Sequence, residues 1–101
     1  MKAATRLQMI RDDWNGRRAD LDEALTFNRK LWTVLVTSAT DADNPLPQAV
    51  KNNIANLALF VFNRTIAIAT EPSADKLGVL ININRELAAG LRAQAQPASA
   101  A

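Results

Sequence analysis

The side chains that could carry acid–base chemistry are carboxylates, and they occur in close pairs. Asp12 precedes Asp13, and Asp20 is separated from Asp22 by one residue. Two carboxylates form a catalytic pair only within a cleft that makes one a proton donor and the other an acceptor. At the ends of predicted helices, carboxylates are more often caps. We therefore expect no acid–base site and no enzyme activity.

A third carboxylate pair, Asp41 and Asp43, begins like a calcium-binding loop. Such a loop needs glycine at its sixth position and glutamate at its twelfth. Counted from Asp41, these positions hold Leu46 and Asn52. The chain contains no cysteine, histidine or tyrosine, which excludes disulfides, thiol nucleophiles, Cys/His zinc sites and imidazole catalysis. Its three glycines are not clustered, so a glycine-rich phosphate loop is excluded, and no metal or cofactor is expected.

The charge distribution argues against nucleic acid and membrane as direct partners. Twelve basic and ten acidic residues give a net charge of +2, and the small surplus in residues 1–30 forms no basic stripe. The N-terminus lacks the apolar segment of a signal peptide. The longest uninterrupted apolar run, Leu57 to Phe62, is far shorter than the ~20 residues of a spanning helix. We expect a cytoplasmic protein without direct nucleic-acid binding or membrane insertion.

The order of apolar residues predicts an all-α protein. Apolar side chains recur at intervals of three and four residues in four segments, and no segment alternates as a strand does. The predicted helices cover residues 3–14, 20–39, 45–70 and 73–91. Short connections between long helices favour a compact antiparallel bundle of about four helices. The 101 residues fit one helical domain over 1–92, and the low-complexity segment 93–101 is predicted to be a disordered C-terminal tail.

Residue types at the segment ends predict how the helices begin and stop. Gly16 can take the left-handed conformation that ends a helix, so the first helix should stop at Asn15–Gly16. Asp20 and Glu23 have the spacing of a capping box with Asp20 as the N-cap, and Ser73 is predicted to cap the fourth helix. These ends predict continuous helices separated by short loops.

The third helix is predicted to begin at a proline. Proline at the first helical position loses no internal hydrogen bond, so the helix should start at Pro45 or Pro47. Leu46 can pack back on the first turn, as hydrophobic residues next to an N-cap often do. Leu46 and Pro47 are therefore assigned a structural role, which is to fix the angle at which the chain enters the helix, and no ligand contact.

Two asparagines occupy the centres of apolar stripes. Asn28 lies seven residues after Leu21 and seven before Leu35, and Asn84 holds the equivalent position in the fourth helix. A buried amide without hydrogen-bond partners costs roughly 1–3 kcal/mol, so both should be hydrogen-bonded. Two interpretations remain open. The amides either set the register of the bundle, which we favour, or contact a bound peptide.

The third helix has a polar side that contains one large apolar ring. Phe60 lies among four polar residues at intervals that place them on one side of the helix: Asn53, Asn56, Asn63 and Arg64. The remaining apolar side chains cover most of its circumference. Such a helix is normally central in its fold, and we favour this interpretation. The alternative is that Phe60 and the four polar residues form a partner-binding surface.

Several short motifs occur in a specific order and at specific intervals. They are NRKLWT at 28–33, NPLP at 44–47, IANLA at 54–58, INR at 83–85 and GL at 90–91. Together they resemble the FlaF family of flagellar biosynthesis regulators over about residues 19–92. Family members usually carry additional residues before the position of Met1, so the chain resembles a short variant or one that starts at an internal methionine. The motif residues singled out are Asn28, Arg29, Trp32, Asn84 and Arg85.

The resemblance implies a non-catalytic, cytoplasmic factor that promotes flagellin production and secretion. It suggests chaperone-like binding of flagellin, whose unassembled terminal helices are amphipathic and can dock in a groove of a helical protein. On this hypothesis flagellin binds Phe60, Asn53, Asn56, Asn63 and Arg64. One alternative is a post-transcriptional regulator of flagellin synthesis that acts through the regulator FlbT or flagellin mRNA. Another is a homodimeric helical adaptor.

The position of Trp32, four residues after Asn28 on the apolar stripe, predicts that its indole lies in the core. Trp32→Ala should lower the free energy of unfolding by ~3–5 kcal/mol, as truncations of large core side chains do. Fluorescence emission of a Trp14→Phe variant, in which Trp32 is the sole tryptophan, checks the burial directly. An emission maximum typical of an indole in water would contradict the prediction.

Overall fold

Five α-helices follow one another in the computed structural model, which describes residues 1–95. They are α1 (Lys2–Asp12), α2 (Trp14–Arg17), α3 (Leu21–Ala39), α4 (Gln48–Thr70) and α5 (Leu77–Ala95). Single 3₁₀ turns lead into α3 and α5: Arg18–Asp20 and Ala74–Lys76. The described residues contain no strand, and the all-α prediction is confirmed. Of the predicted tail, residues 93–95 continue α5, and residues 96–101 lie outside the described part.

The four long helices form an antiparallel bundle with a closed ring of contacts. α1 packs on α3, α3 on α4, α4 on α5, and α5 on α1. The Lys51 ammonium at the start of α4 donates a hydrogen bond to the Asp41 carbonyl just beyond the end of α3, at 2.9 Å. Gly78 at the start of α5 lies beside the Arg11 guanidinium at the end of α1. These end-to-end pairings confirm the predicted antiparallel arrangement.

The first helix ends earlier than predicted, and Gly16 does not act as its stop. The break lies at Asp13, whose backbone leaves the helical region (φ −130°, ψ 60°), and the chain then forms α2 through Gly16. Gly16 has no positive φ. It provides space instead, because a Cβ here would come within 2.7 Å of an Asp13 carboxylate oxygen. Trp14 packs half-buried against the core at this joint.

The predicted side-chain caps do not form. Asp20 does precede α3 as its N-cap, but its side chain makes no capping hydrogen bond, so the capping box with Glu23 is wrong. The 3₁₀ turn runs directly into α3, and the first N–H of α3 already donates to the Arg18 carbonyl. The Ser73 hydroxyl also makes no capping hydrogen bond. Instead, the Ser73 backbone carbonyl accepts the backbone N–H of the residue three positions further on. Continuous backbone turns replace both caps.

Pro47 precedes α4 and is not its first residue. The helix begins at Gln48, and the Pro47 carbonyl accepts two backbone N–H groups of the first turn. The predicted proline start is therefore displaced by one residue. The Asn44 side-chain oxygen accepts the Leu46 N–H at 2.9 Å, which fixes the turn before the helix. Leu46 itself is half-buried against the core.

Two buried hydrogen bonds cross the core from α3 to α5. The Trp32 indole N–H donates to the Asn84 oxygen, and the Asn84 amide donates to the Asn28 oxygen, both at 2.7 Å. All three side chains are fully buried. Because an indole can only donate, Asn84 must present its oxygen to Trp32 and its nitrogen to Asn28. Each amide therefore has one orientation, as a register-setting role requires.

α4 is a peripheral helix, and the prediction that it lies centrally is wrong. Its inner side packs into the bundle, but three large apolar side chains on its other sides are exposed: Leu59 (63%), Phe60 (45%) and Ile66 (65%). Among the described helices, α1 packs between α3 and α5, on the edge of the bundle opposite α4. Apolar composition cannot make a helix central when the chain has no further helix to surround it.

Within residues 1–95, α4 is also the one helix that is long and apolar enough to cross a membrane by length and composition. It has 23 residues, and an 18-residue stretch of it has a mean hydropathy of 1.2 and is 28% buried. A spanning position would place Arg64 in hydrocarbon, where a cation at mid-depth costs roughly 2.5–3.5 kcal/mol. The same surplus of apolar surface suits a helix that another protein covers.

The core bond pattern predicts unequal costs for removing its two asparagines. Asn84→Ala leaves the Trp32 N–H and the Asn28 oxygen without partners, so the free energy of unfolding should fall by about 3 kcal/mol or more. Asn28→Ala should lower the free energy of unfolding by about half as much. The loss is smaller because this substitution also removes the buried Asn28 N–H group, which has no partner among residues 1–95 and therefore destabilises the native protein. Urea denaturation of both variants measures the difference. An equal or larger loss for Asn28→Ala would contradict this bond pattern.

Candidate functional site

The five residues assigned from the sequence to a partner-binding surface lie on the outer half of α4. Asn53, Asn56, Phe60 and Asn63 are exposed, and Arg64 is half-buried. Helical spacing divides them into two rows, because residues seven positions apart share a side. Asn53 and Phe60 lie on the flank toward α5, with Arg64 one turn further on, whereas Asn56 and Asn63 point away from the bundle. The structure brings all five together along roughly 16 Å of one helix.

The Phe60 ring is held in place by the Arg64 side chain. The guanidinium carbon lies 5.7 Å from the ring centroid, a cation–π distance, and it covers one side of the ring. Asn63 and Ala67 complete a shallow depression next to the ring. With 45% of its surface exposed, the ring keeps a free side. A ring that is already fixed by its neighbour loses little side-chain entropy when a partner binds it.

A groove runs beside this flank, between α4 and the C-terminal half of α5. Its volume is about 280 Å³. The lining is apolar except for Asn53 and Glu86, and its members are Val50, Asn53, Ile54 and Leu57 from α4 and Ile83, Glu86, Leu87, Gly90 and Leu91 from α5. Gly90 contributes no side chain, and nothing lies within 4 Å of a Cβ built at this position. The groove has the form that ligands and partner helices use, with apolar walls and few polar groups.

Sequence reasoning missed this groove. The periodicity of a single helix does not reveal it, because the groove exists only between α4 and α5, neighbours whose contact is less extensive than the others in the ring. One local signal was present. Gly90 lies inside an otherwise regular helical pattern, and an isolated glycine there costs stability and therefore often has a packing or functional reason.

A second groove lies on the opposite flank of α4, against α3. Its volume is about 240 Å³, and its lining is Arg29, Thr33, Phe62, Thr65 and Ile66. The Arg29 side chain is exposed there, while its backbone carbonyl accepts the Thr33 hydroxyl at 2.9 Å. Ile66 forms part of the lining and is 65% exposed. Apolar surface therefore extends along both flanks of α4.

The remaining motif residues divide into a buried and an exposed group. Asn28, Trp32 and Asn84 form the core hydrogen-bond chain, whereas Arg29 and Arg85 are exposed on α3 and α5. No group of three or more acidic residues within residues 1–95 could hold a metal ion. The buried half of the motifs therefore serves the fold, and the exposed half remains available to a partner.

The fold and its surface define a small all-α bundle with one exposed apolar helix and an apolar groove next to it. The family model described as flagellar protein FlaF matches residues 1–91. The chain therefore belongs to the FlaF family, and the resemblance of its motifs is confirmed. Neither a curated protein nor a solved structure matches the chain.

Phe60→Ala distinguishes a ring that serves the fold from one that serves a partner. Because the ring is nearly half exposed and packs on Arg64 of its own helix, Tm should change little. Binding of flagellin, the partner that the resemblance implies, or self-association should weaken by ~2 kcal/mol or more, about 30-fold, as on loss of other aromatic anchors. Thermal melting checks the expected Tm, and a binding titration on the same preparation checks the expected loss of affinity. A large fall in Tm would place Phe60 in the core.

Proposed function

We propose that this FlaF protein is a non-catalytic factor that binds flagellin as a chaperone and promotes its production and secretion. Membership of a flagellar protein family supports the flagellar role. The observation that carries the binding step is the apolar groove between α4 and α5, with the Phe60 ring exposed on the same flank. Unassembled flagellin exposes amphipathic terminal helices, and a groove of this kind covers the apolar stripe of such a helix.

The dimensions of the groove suit one face of a helix. The α4 wall extends from Val50 to Leu57, and the α5 wall extends from Ile83 to Leu91, each about two helical turns. A bound helix can therefore insert apolar side chains spaced three, four and seven residues apart between the walls. The Glu86 carboxylate at the groove can accept hydrogen bonds from a bound helix, which favours one orientation of that helix.

The charge of the groove supports a protein partner over RNA. Its lining contains one carboxylate, Glu86, and no lysine or arginine. Single-stranded nucleic acid is bound by basic grooves with aromatic stacking platforms, and its affinity falls steeply with salt. Binding that weakens only slightly between low and high salt is therefore expected, and a steep salt dependence would favour flagellin mRNA as the target.

Filling the groove tests the flagellin proposal. Gly90→Leu places a side chain in open space, and leucine is about 1 kcal/mol more favourable than glycine in a helix, so the fold should be retained or stabilised. The added side chain should occupy the groove and weaken flagellin binding at least about tenfold. Ala89→Leu is the matched control, because Ala89 is exposed on the same helix outside the groove.

Titration calorimetry with intact flagellin and with flagellin that lacks its terminal helices completes the test. Selective loss of affinity for Gly90→Leu, together with loss of binding by the truncated flagellin, supports the proposal. Equal affinities for the Gly90→Leu and Ala89→Leu variants would place flagellin elsewhere on the chain. A wild-type chain that binds an FlbT-like regulator and not flagellin would remove flagellin as the direct partner.

A further inference from the structure

α4 carries two rows of side chains with the same spacing on opposite sides, and the bundle covers only one of them. The inner row is buried and repeats at intervals of three and four residues: Lys51, Ile54, Ala58, Val61, Thr65 and Ile68. The outer row has equivalent intervals and is exposed throughout: Asn52, Asn56, Leu59, Asn63, Ile66 and Thr70. Alternating intervals of three and four residues are typical of helices that pair along their length. The outer row therefore has the pattern of a second helix–helix contact.

The outer row and the residues on either side of it carry no charge. The flanking positions are Asn53, Phe60 and Ala67 on one side and Ala55, Phe62 and Ala69 on the other. Neither charged residue of α4 belongs to these rows, because Lys51 lies in the buried inner row and Arg64 packs over the Phe60 ring at the edge of the face. The exposed sides of the other long helices each carry both signs of charge: Lys2 and Asp12 on α1, Glu23 and Lys30 on α3, and Arg85 and Glu86 on α5.

A helix face of this length without charge is unusual on a surface that stays in water. The lack of charge also indicates which partner fits it. In a two-fold symmetric contact, residues near the axis meet their own copies, so any charge there would oppose a like charge. Asparagine has no such conflict, because its amide offers a donor and an acceptor and pairs with a second asparagine. The face is therefore complementary to itself.

We propose that the outer face of α4 is the contact of a parallel, in-register dimer of this chain. In this dimer the amides of Asn56 and Asn63 pair with their own copies across the two-fold axis. Leu59 and Ile66, which are 63% and 65% exposed in the single chain, meet their own copies in the layers between. The dimer thus covers the two most exposed large apolar side chains of α4.

The alternation of amide and aliphatic residues selects the parallel orientation. Asn56 and Asn63 are seven residues apart and share one heptad position, whereas Leu59 and Ile66 share the other. In a parallel pair each position meets the same position, so amides meet amides and aliphatic side chains meet aliphatic side chains. In an antiparallel pair the two positions face each other, and each buried amide would lie against an aliphatic side chain without a hydrogen-bond partner. A buried asparagine at this position specifies register in two-stranded coiled coils.

The dimer contact and the α4–α5 groove occupy different sides of α4. None of the groove residues belongs to the outer row. A dimer therefore leaves the α4–α5 groove open, whereas it covers Ile66 in the groove against α3, and its existence does not depend on flagellin binding. Measurements on the purified chain alone decide whether the dimer forms.

Sedimentation velocity of the purified chain tests the dimer. The wild-type chain should sediment as a dimer, and Leu59→Glu should raise the dissociation constant at least about 100-fold, because carboxylates would meet across the axis. Val34→Glu is the matched control, since Val34 is an aliphatic residue on α3 that is 66% exposed and lies outside the face. It should leave the dimer intact. Far-ultraviolet circular dichroism should show unchanged helix content for both variants.

Cysteine substitution tests the orientation, because the native chain has no cysteine. Asn63→Cys should give a disulfide-linked dimer on mild oxidation, since residue 63 meets its own copy, whereas Val34→Cys should not.

A wild-type chain that is monomeric at high micromolar concentration, or a dimer that survives Leu59→Glu, overturns the proposal. A dimer that Asn63→Cys does not cross-link overturns the parallel register. A monomer that co-sediments with phosphatidylglycerol vesicles assigns the face to lipid and also overturns it.

Discussion

The hydrogen bonds that join Trp32, Asn84 and Asn28 are the constraint on which the rest of the bundle depends. They lie in an apolar core where an unpaired polar group costs free energy, so α3 and α5 can approach each other only in the register that satisfies them. α3 and α5 thus form a fixed diagonal of the bundle. The other two long helices occupy the two sides of this diagonal, with the short α1 on one side and the longer α4 on the other.

The parts of the structure that depend on local periodicity could be predicted from the sequence. Asn28 and Asn84 sit at the centres of apolar stripes, and the need for partners follows from burial alone. The helix ends were less predictable, because their N–H groups find backbone partners in 3₁₀ turns that residue types do not reveal. Gly16 shows the same limit. Its role is set by the Asp13 carboxylate beside it and not by a backbone conformation that glycine alone adopts.

The position of α4 and the groove beside it could not be predicted, because both depend on how many helices the chain provides. A helix with apolar residues on several sides is central only if other helices surround it, and here the described helices surround one side. One part of the candidate site could be predicted from the sequence, and the other part could not. The position of Phe60 on a polar side was visible in the sequence, whereas the groove needs Val50 and Leu87, which lie on helices whose pairing the pattern does not specify. The exposed surface of α4 therefore depends on how many helices pack around it.

The sequence separation of the core bonds has a consequence for how the protein is made. The Trp32–Asn84 bond joins residues 52 positions apart, the Asn84–Asn28 bond joins residues 56 apart, and α1 closes the ring against α5. Because α5 follows α1 and α3 along the chain, the core cannot close while α5 is still inside the ribosomal exit tunnel. Until then, the Trp32 indole and the Asn28 amide lack the partner that Asn84 supplies. The core of the bundle therefore closes only after α5 has emerged from the ribosome.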